Sequence, residues 1–213
     1  MRKARWLLAA LVLLAGSHSW AASGSYEDLI HAVNNDDERT VAELLAKGMD
    51  ANTVAPNGES LLMLAARHGK PEVMKVLLGA RPQVNIRNGH GETALMLAAI
   101  AGHAEAVRLL LAQGAEVNHS GWTPLLYAAA QNRMDVARLL IARGALVNAQ
   151  APNDFTALMM AAREGHLSMV LLLLEHGADI NVRTEDGLTA LSLARGRDRQ
   201  DIVNLLARAG AVE

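Results

Sequence analysis

Chemistry in this chain would have to come from histidine and methionine. The 213 residues include eight histidines (His18, His31, His68, His90, His103, His119, His166 and His176), nine methionines and no cysteine. Without a thiol there is no thiolate nucleophile, no disulfide, no Cys-based zinc site and no lipid-modified cysteine. No nucleophile stands paired with a base, so the residues do not point to an enzyme. Met63, Met96 and Met159 share one position of a 33-residue spacing. A row of thioethers could hold a soft ion such as Cu(I) or act as an oxidisable sink. Methionine also fills gaps between packed helices. Equivalent atoms of adjacent helix pairs stand roughly 10 Å apart, too far to share one ion. The packing role is the expectation, and neither a metal nor a cofactor is expected.

The elements that must position these residues repeat. An alanine following a Thr-x-Leu-like opening recurs at Ala65, Ala98, Ala128, Ala161 and Ala194, at spacings of 33, 30, 33 and 33, and the same step back reaches Ala32. The closing asparagines keep step: Asn52, Asn85, Asn118, Asn148 and Asn181. A period held this long marks a repeat architecture. Ser60, Thr93, Thr123, Thr156 and Thr189 open a first helix, each offering its hydroxyl to a free first-turn amide. Pro124 follows where a missing N–H costs little. Gly69, Gly102, Asn132 and Gly165 close it in a left-handed turn. A second helix follows, centred on runs such as Leu109-Leu110-Leu111 and Leu171–Leu174. Helices this short are marginal alone in water, so each hides its apolar face against a neighbour and the array is the folding unit.

The N-terminus reads as a signal peptide spanning 1–21. Arg2, Lys3 and Arg5 form a basic start, Trp6 to Gly16 is apolar, and Ser19-Trp20-Ala21 supplies small residues for cleavage after Ala21, or after Ala22. The apolar run is 11 residues, short of the ~20 a spanning helix needs. No membrane insertion is expected after cleavage, and a periplasmic location, or alternatively secretion, is the expectation. Removing Arg2, Lys3 and Arg5 from the 20 Lys and Arg leaves 17 against 22 acidic residues, a net charge of −5. Mild acidity with no basic stripe argues against nucleic acid.

The pattern resembles the ankyrin repeat. Gly121-Trp122-Thr123-Pro124-Leu125, Ala98-Ala99-Ile100-Ala101-Gly102-His103 and Gly177-Ala178-Asp179-Ile180-Asn181 carry the likeness. It covers roughly 25–213, in repeats of about 25–55, 56–88, 89–119, 120–151, 152–184 and 185–213. The resemblance implies an all-α solenoid of about six helix-turn-helix repeats with projecting β-hairpin fingers, and ligands that bind fingertips and inner helix faces. It gives His103 and His166 a structural hydrogen-bonding role. His90 and His119 lie near neighbouring fingertips, but two imidazoles are an incomplete metal site. Asn118-His119-Ser120 matches a glycosylation pattern, yet Asn118 is expected to brace its loop. The usual histidine after the Thr-Pro-Leu opening is replaced by Met63, Met96, Leu126, Met159 and Ser192. Arg81-Pro82 stands where the second repeat's turn glycine would be, which predicts an irregular loop. The first and last repeats are polar and read as caps.

The residue before each opening Ser or Thr is the informative position. It reads Glu59, Glu92, Trp122, Phe155 and Leu188, and the resemblance places it near the groove, facing solvent. Exposed Trp122 and Phe155 on adjacent fingers would form an aromatic binding patch, since such anchors often dominate interfaces. Either ring could instead pack on its own finger. Around them stand Arg67, His68, Ile100, Gln131, Arg163 and Glu164, whose mixed chemistry suits a protein partner. The junction from Asn118 to Thr123 is three residues shorter than the other four, which predicts a notch beside Trp122. The expected function is a monomeric, non-catalytic protein-interaction module or adaptor of the cell envelope. A chaperone-like or inhibitory partner of one envelope enzyme is the alternative, with a metal- or redox-handling role behind it.

Overall fold

The computed structural model describes residues 21–212, with side chains from 26 onward. The expected signal segment lies outside the described residues except for Ala21, its last position. The described residues form twelve helices: α1 Ala21–Asn34, α2 Glu38–Ala46, α3 Leu61–His68, α4 Pro71–Gly79, α5 Ala94–Ala101, α6 Ala104–Ala112, α7 Pro124–Ala130, α8 Met134–Ala142, α9 Ala157–Glu164, α10 Leu167–Glu175, α11 Ala190–Arg195 and α12 Gln200–Arg208.

The odd-numbered helices pack in succession from α1 to α11, forming an inner row. Behind them α2, α4, α6 and α8 pack in turn, and α10 meets α12. Small residues let the inner row approach closely: Ala65, Ala66, Ala98, Ala99, Ala128, Ala129, Ala161 and Ala162 are all fully buried. Met63, Met96 and Met159 lie in the same interior, each no more than 2% exposed, so their thioethers fill the stack.

The capping chemistry follows the sequence. Ser60, Thr93, Thr123 and Thr156 each accept from the backbone N–H three residues on at 3.3 Å. Thr189 and Ser192 cap reciprocally, the Thr189 N–H donating to Ser192 Oγ at 2.9 Å. The left-handed turn recurs at Gly69, Gly102 and Gly165, and at Asn132 with φ 53°. Arg81 also takes this conformation, with φ 56°, but Pro82 after it has no N–H for the bond that Met49, Ala115, Ala145, Ala178 and Ala211 make in the other turns, so the expected irregularity is confined to that bond. The strain of a left-handed non-glycine residue, roughly 1–2 kcal/mol, is the cost.

The connections between repeats are turns. The described residues contain no strand, only an isolated bridge between Val54 and Ser60, and β-hairpin fingers are not formed as such. Four junctions close with the same two backbone bonds. Ala55, Asn88, Ala151 and Thr184 donate to Glu59, Glu92, Phe155 and Leu188, and each first residue accepts from a donor three residues on. The short junction 118–123 lacks this pair. There the next finger's Pro152 lies beside Gly121, 3.6 Å from where a Cβ would stand.

Two hydrogen-bond ladders cross the repeats. Asn52, Asn85, Asn118, Asn148 and Asn181 each accept on Oδ1 from a backbone N–H of the following repeat at 2.7–2.9 Å. Asn118 also donates from Nδ2 to Gly144 O at 2.9 Å, the bracing expected of it. The second ladder runs along the inner helix ends. His103, Arg133, His166 and Arg199 reach back to the carbonyls of Arg67, Ile100, Ala130 and Arg163 at 3.1, 3.0, 3.1 and 3.5 Å. His103 and His166 thus have the structural role expected of them.

Candidate functional site

The residues before the helix caps sit at the finger bases, where the chain turns onto the inner row. Glu59, Trp122 and Phe155 each contact a residue of their own first helix. Glu59 is buried, 4% exposed, and its Oε1 is paired with the Arg67 guanidinium. Its Oε2 is buried without a hydrogen-bond partner. Glu92 is half-buried, and Asn88 Nδ2 donates to its Oε2 at 2.9 Å.

Trp122 is half-buried and stacks on Tyr127, with ring centroids 5.4 Å apart and planes at 25°. Burial, and secondarily the Glu92 charge, push the Tyr127 hydroxyl above its ordinary pKa. Phe155 is only 9% exposed, and the Arg163 guanidinium lies over its ring, 5.2 Å from the centroid. Arg163 also donates from Nε to Glu164 at 2.8 Å. Leu188 is 37% exposed at the last finger base.

These positions correct the expectation of an open Trp–Phe patch. Phe155 is a core residue under the Arg163 guanidinium. Glu59 does not face solvent either, since Arg67 at the far end of its own first helix pairs with it. Trp122 keeps part of its surface, but its indole leans on Tyr127. The stack makes Tyr127 part of the finger-base row. The remaining expected residues divide by exposure. Arg67, His68 and Gln131 are exposed at the helix ends, Ile100 is half-buried, and Arg163 and Glu164 are partly covered by each other.

Two features escaped the sequence reading. His119 lies in the short junction with its side chain 1% exposed. Arg87 from the preceding finger donates to its Nδ1 at 2.7 Å, and its Nε2 is buried without a partner. No local signal reports this, since the two residues are 32 positions apart. At the N-terminal end a hollow of about 530 Å³ is lined by Tyr26, Ile30, Val54 and Pro56 with Glu27 and Asp50. Its apolar members sit on α1 and the first finger, which only the fold brings together.

Among the described residues no three His, Asp or Glu side chains converge as metal ligands, and no helix is long and apolar enough to cross a membrane.

Comparison with known proteins agrees with this architecture. A family model described as "Ankyrin repeats (3 copies)" matches residues 29–120 and 62–151, and one described as "Ankyrin repeats (many copies)" matches 140–194. Among solved structures, the chain resembles one in the complex of the Bd0816 predatory endopeptidase from Bdellovibrio bacteriovorus with immunity protein Bd3460. The TM-score is 0.78 at 29% identity, covering 85% of this chain and 97% of that one. It also resembles the ankyrin repeat domain of Bcl-3, a member of the IkappaB protein family, with TM-score 0.76 at 29% identity over 87% and 86% of the two chains. A search of curated proteins returned no significant match. With the repeat period, the capped helix pairs and the family matches in agreement, the chain belongs to the ankyrin-repeat family.

Proposed function

We propose that this protein is a non-catalytic binding module of the cell envelope that seats one protein partner on its finger bases and inner helix row. The observation that carries the reading is chemical contrast on a constant scaffold. Every repeat uses the same caps, turns and ladders, yet the finger-base position changes from Glu59 and Glu92 to Trp122, Phe155 and Leu188. A row needed only for folding would not have to vary this way, whereas a partner-specific surface would. Trp122 with Tyr127, flanked by Ile100 and Gln131, is the centre of that surface. Phe155 supports it from beneath Arg163. The basic and apolar N-terminal segment supports export to the periplasm, with secretion as the alternative.

A narrower reading has its own support. The endopeptidase–immunity protein complex suggests that this chain is an inhibitory partner of one envelope enzyme. Inhibition needs only a surface that covers an active-site mouth, which a stack of finger bases can supply.

The test places a photoreactive residue at position 122, with position 171 on the outer row as control. A single protein trapped from 122 and not from 171 supports the groove. Equal trapping from both positions removes the site assignment. Activity of the trapped protein, measured with and without this chain, separates an inhibitor from an adaptor. The mass of the exported form checks the leader: a chain beginning at Ala22 or Ser23 is expected, and an uncleaved N-terminus in the envelope fraction would refute it.

A further inference from the structure

The second ladder defines structurally equivalent residues. Arg67, Ile100, Ala130 and Arg163 all present their carbonyls to the following repeat in the same way. Each stands eight positions after its finger-base residue: Glu59, Glu92, Trp122 and Phe155. At the two ends of this set the chain supplies its own guanidinium. Arg67 pairs with the Glu59 carboxylate, and Arg163 covers the Phe155 ring. One arginine thus meets a carboxylate and the other an aromatic face.

The two middle repeats have the same acceptors without the arginine. The equivalent helix positions hold Ile100 and Ala130, neither of which can supply charge. Among the described residues Glu92 makes no ion pair, and no cation of this chain lies over the Trp122 ring. Glu92 and Trp122 stand at the bases of consecutive first helices, α5 and α7, which pack on each other, and Trp122 stacks on Tyr127 of α7, whose hydroxyl feels the Glu92 charge.

We propose that Glu92 and the Trp122–Tyr127 stack together receive an arginine side chain presented by the protein partner. The inference rests on the protein-binding reading above and names the chemistry its central contact takes. Arginine fits better than lysine, because its planar guanidinium can lie flat on a ring and bond a carboxylate at its edge. The flanking repeats already solve each half of this problem with arginine. An acidic side chain would meet the Glu92 charge, and a purely apolar one would leave the carboxylate without a countercharge.

The experiment uses the full chain and a defined probe. Nα-acetyl-arginine methylamide is titrated while the indole N–H signal of Trp122 is followed by NMR, assigned through Trp122→Phe. The citrulline analogue, equal in shape and uncharged, is the control. The expected result is a saturable shift with the arginine probe, about fivefold weaker with citrulline, as a surface cation–π and carboxylate contact implies. Glu92→Gln should weaken it to the citrulline level. Ala130→Arg, which lets the chain provide the guanidinium itself, should abolish it. If Ala130→Arg does not fold, Ile100→Arg carries the same expectation. An equal response to arginine and citrulline, or no response up to the probe's solubility limit, overturns the inference. Partner trapping from position 122 without an arginine response would leave the protein-binding reading standing and remove this one. An arginine response without trapping would leave a guanidinium site with no partner to fill it, and would overturn both readings.

Discussion

His119 shows how much a single residue's chemistry depends on distant parts of the chain. Arg87 can only donate, so Nδ1 of the ring accepts and the neutral ring carries its proton on Nε2. That proton is buried without an acceptor. Burial, and then the Arg87 charge, hold the ring below the ordinary histidine pKa, and Glu116 opposes them more weakly. The unfolded chain therefore binds a proton at higher pH than the folded one. The stability this residue contributes is complete above the unfolded range near 6.5 and is lost as pH falls below it. The urea midpoint should drop between pH 7.5 and 5.5, and His119→Gln should show a smaller drop. An identical pH dependence in the variant would exclude His119 as its source. At the finger bases burial orders the costs. Phe155→Ala should cost about 3–5 kcal/mol in urea unfolding, as for a buried aromatic. Leu188→Ala, at an exposed position, should cost below about 1 kcal/mol. Equal losses would mean that the Arg163 cover over Phe155 does not seal it.

At the scale of elements, the first-helix turns carry two constraints at once. Gly102 and Gly144 both have positive φ, 85° and 83°. A Cβ at Gly102 would stand 2.6 Å from Arg133 Cδ, whereas nothing lies within 4 Å of one at Gly144. Both alanine substitutions incur the left-handed penalty of roughly 1–2 kcal/mol. Only Gly102→Ala also displaces Arg133 from its bond to the Ile100 carbonyl, about 1 kcal/mol more. Chemical denaturation of the two variants should show that difference, and equal destabilisation would mean that Arg133 finds another route to the carbonyl. The same geometry explains why histidine and arginine alternate in this ladder. Each is long enough to pass over the preceding turn and donate through a ring or guanidine N–H.

Among the described residues the helices of each repeat pack chiefly on those of its neighbours, so stability is approximately a sum of local and interface contributions. The asparagine ladder is one of those interfaces. Asn118 bridges to Leu146 N and Gly144 O across the shortest junction, the one without the turn's paired backbone bonds. Asn118→Ala should cost about 1 kcal/mol, because both lost bonds are exposed and water can replace them. It should also weaken the coupling between the two halves of the array. Hydrogen exchange should then show α9 to α12 opening separately from α3 to α6, while the parent chain opens more cooperatively. Exchange that accelerates uniformly along the variant would contradict the nearest-neighbour picture.

The sequence by itself determined the period, the helix pairs, the caps at Ser60, Thr93, Thr123, Thr156 and Thr189, the turns and the bracing asparagines. Those features are local, and each depends on a few residues in one repeat whose packing the next repeat copies. It also singled out the finger-base row as the position where chemistry varies. Only the tertiary structure decided what that row presents. Phe155 went under Arg163, Glu59 under Arg67 and Trp122 onto Tyr127, because each side chain's fate depends on what stands five or eight positions later on its own first helix. The turn connections in place of strands and the burial of His119 by Arg87 were equally invisible along the chain. A repeat makes backbone structure legible by repetition, but side-chain contacts, within a repeat or across repeats, depend on which particular residues meet.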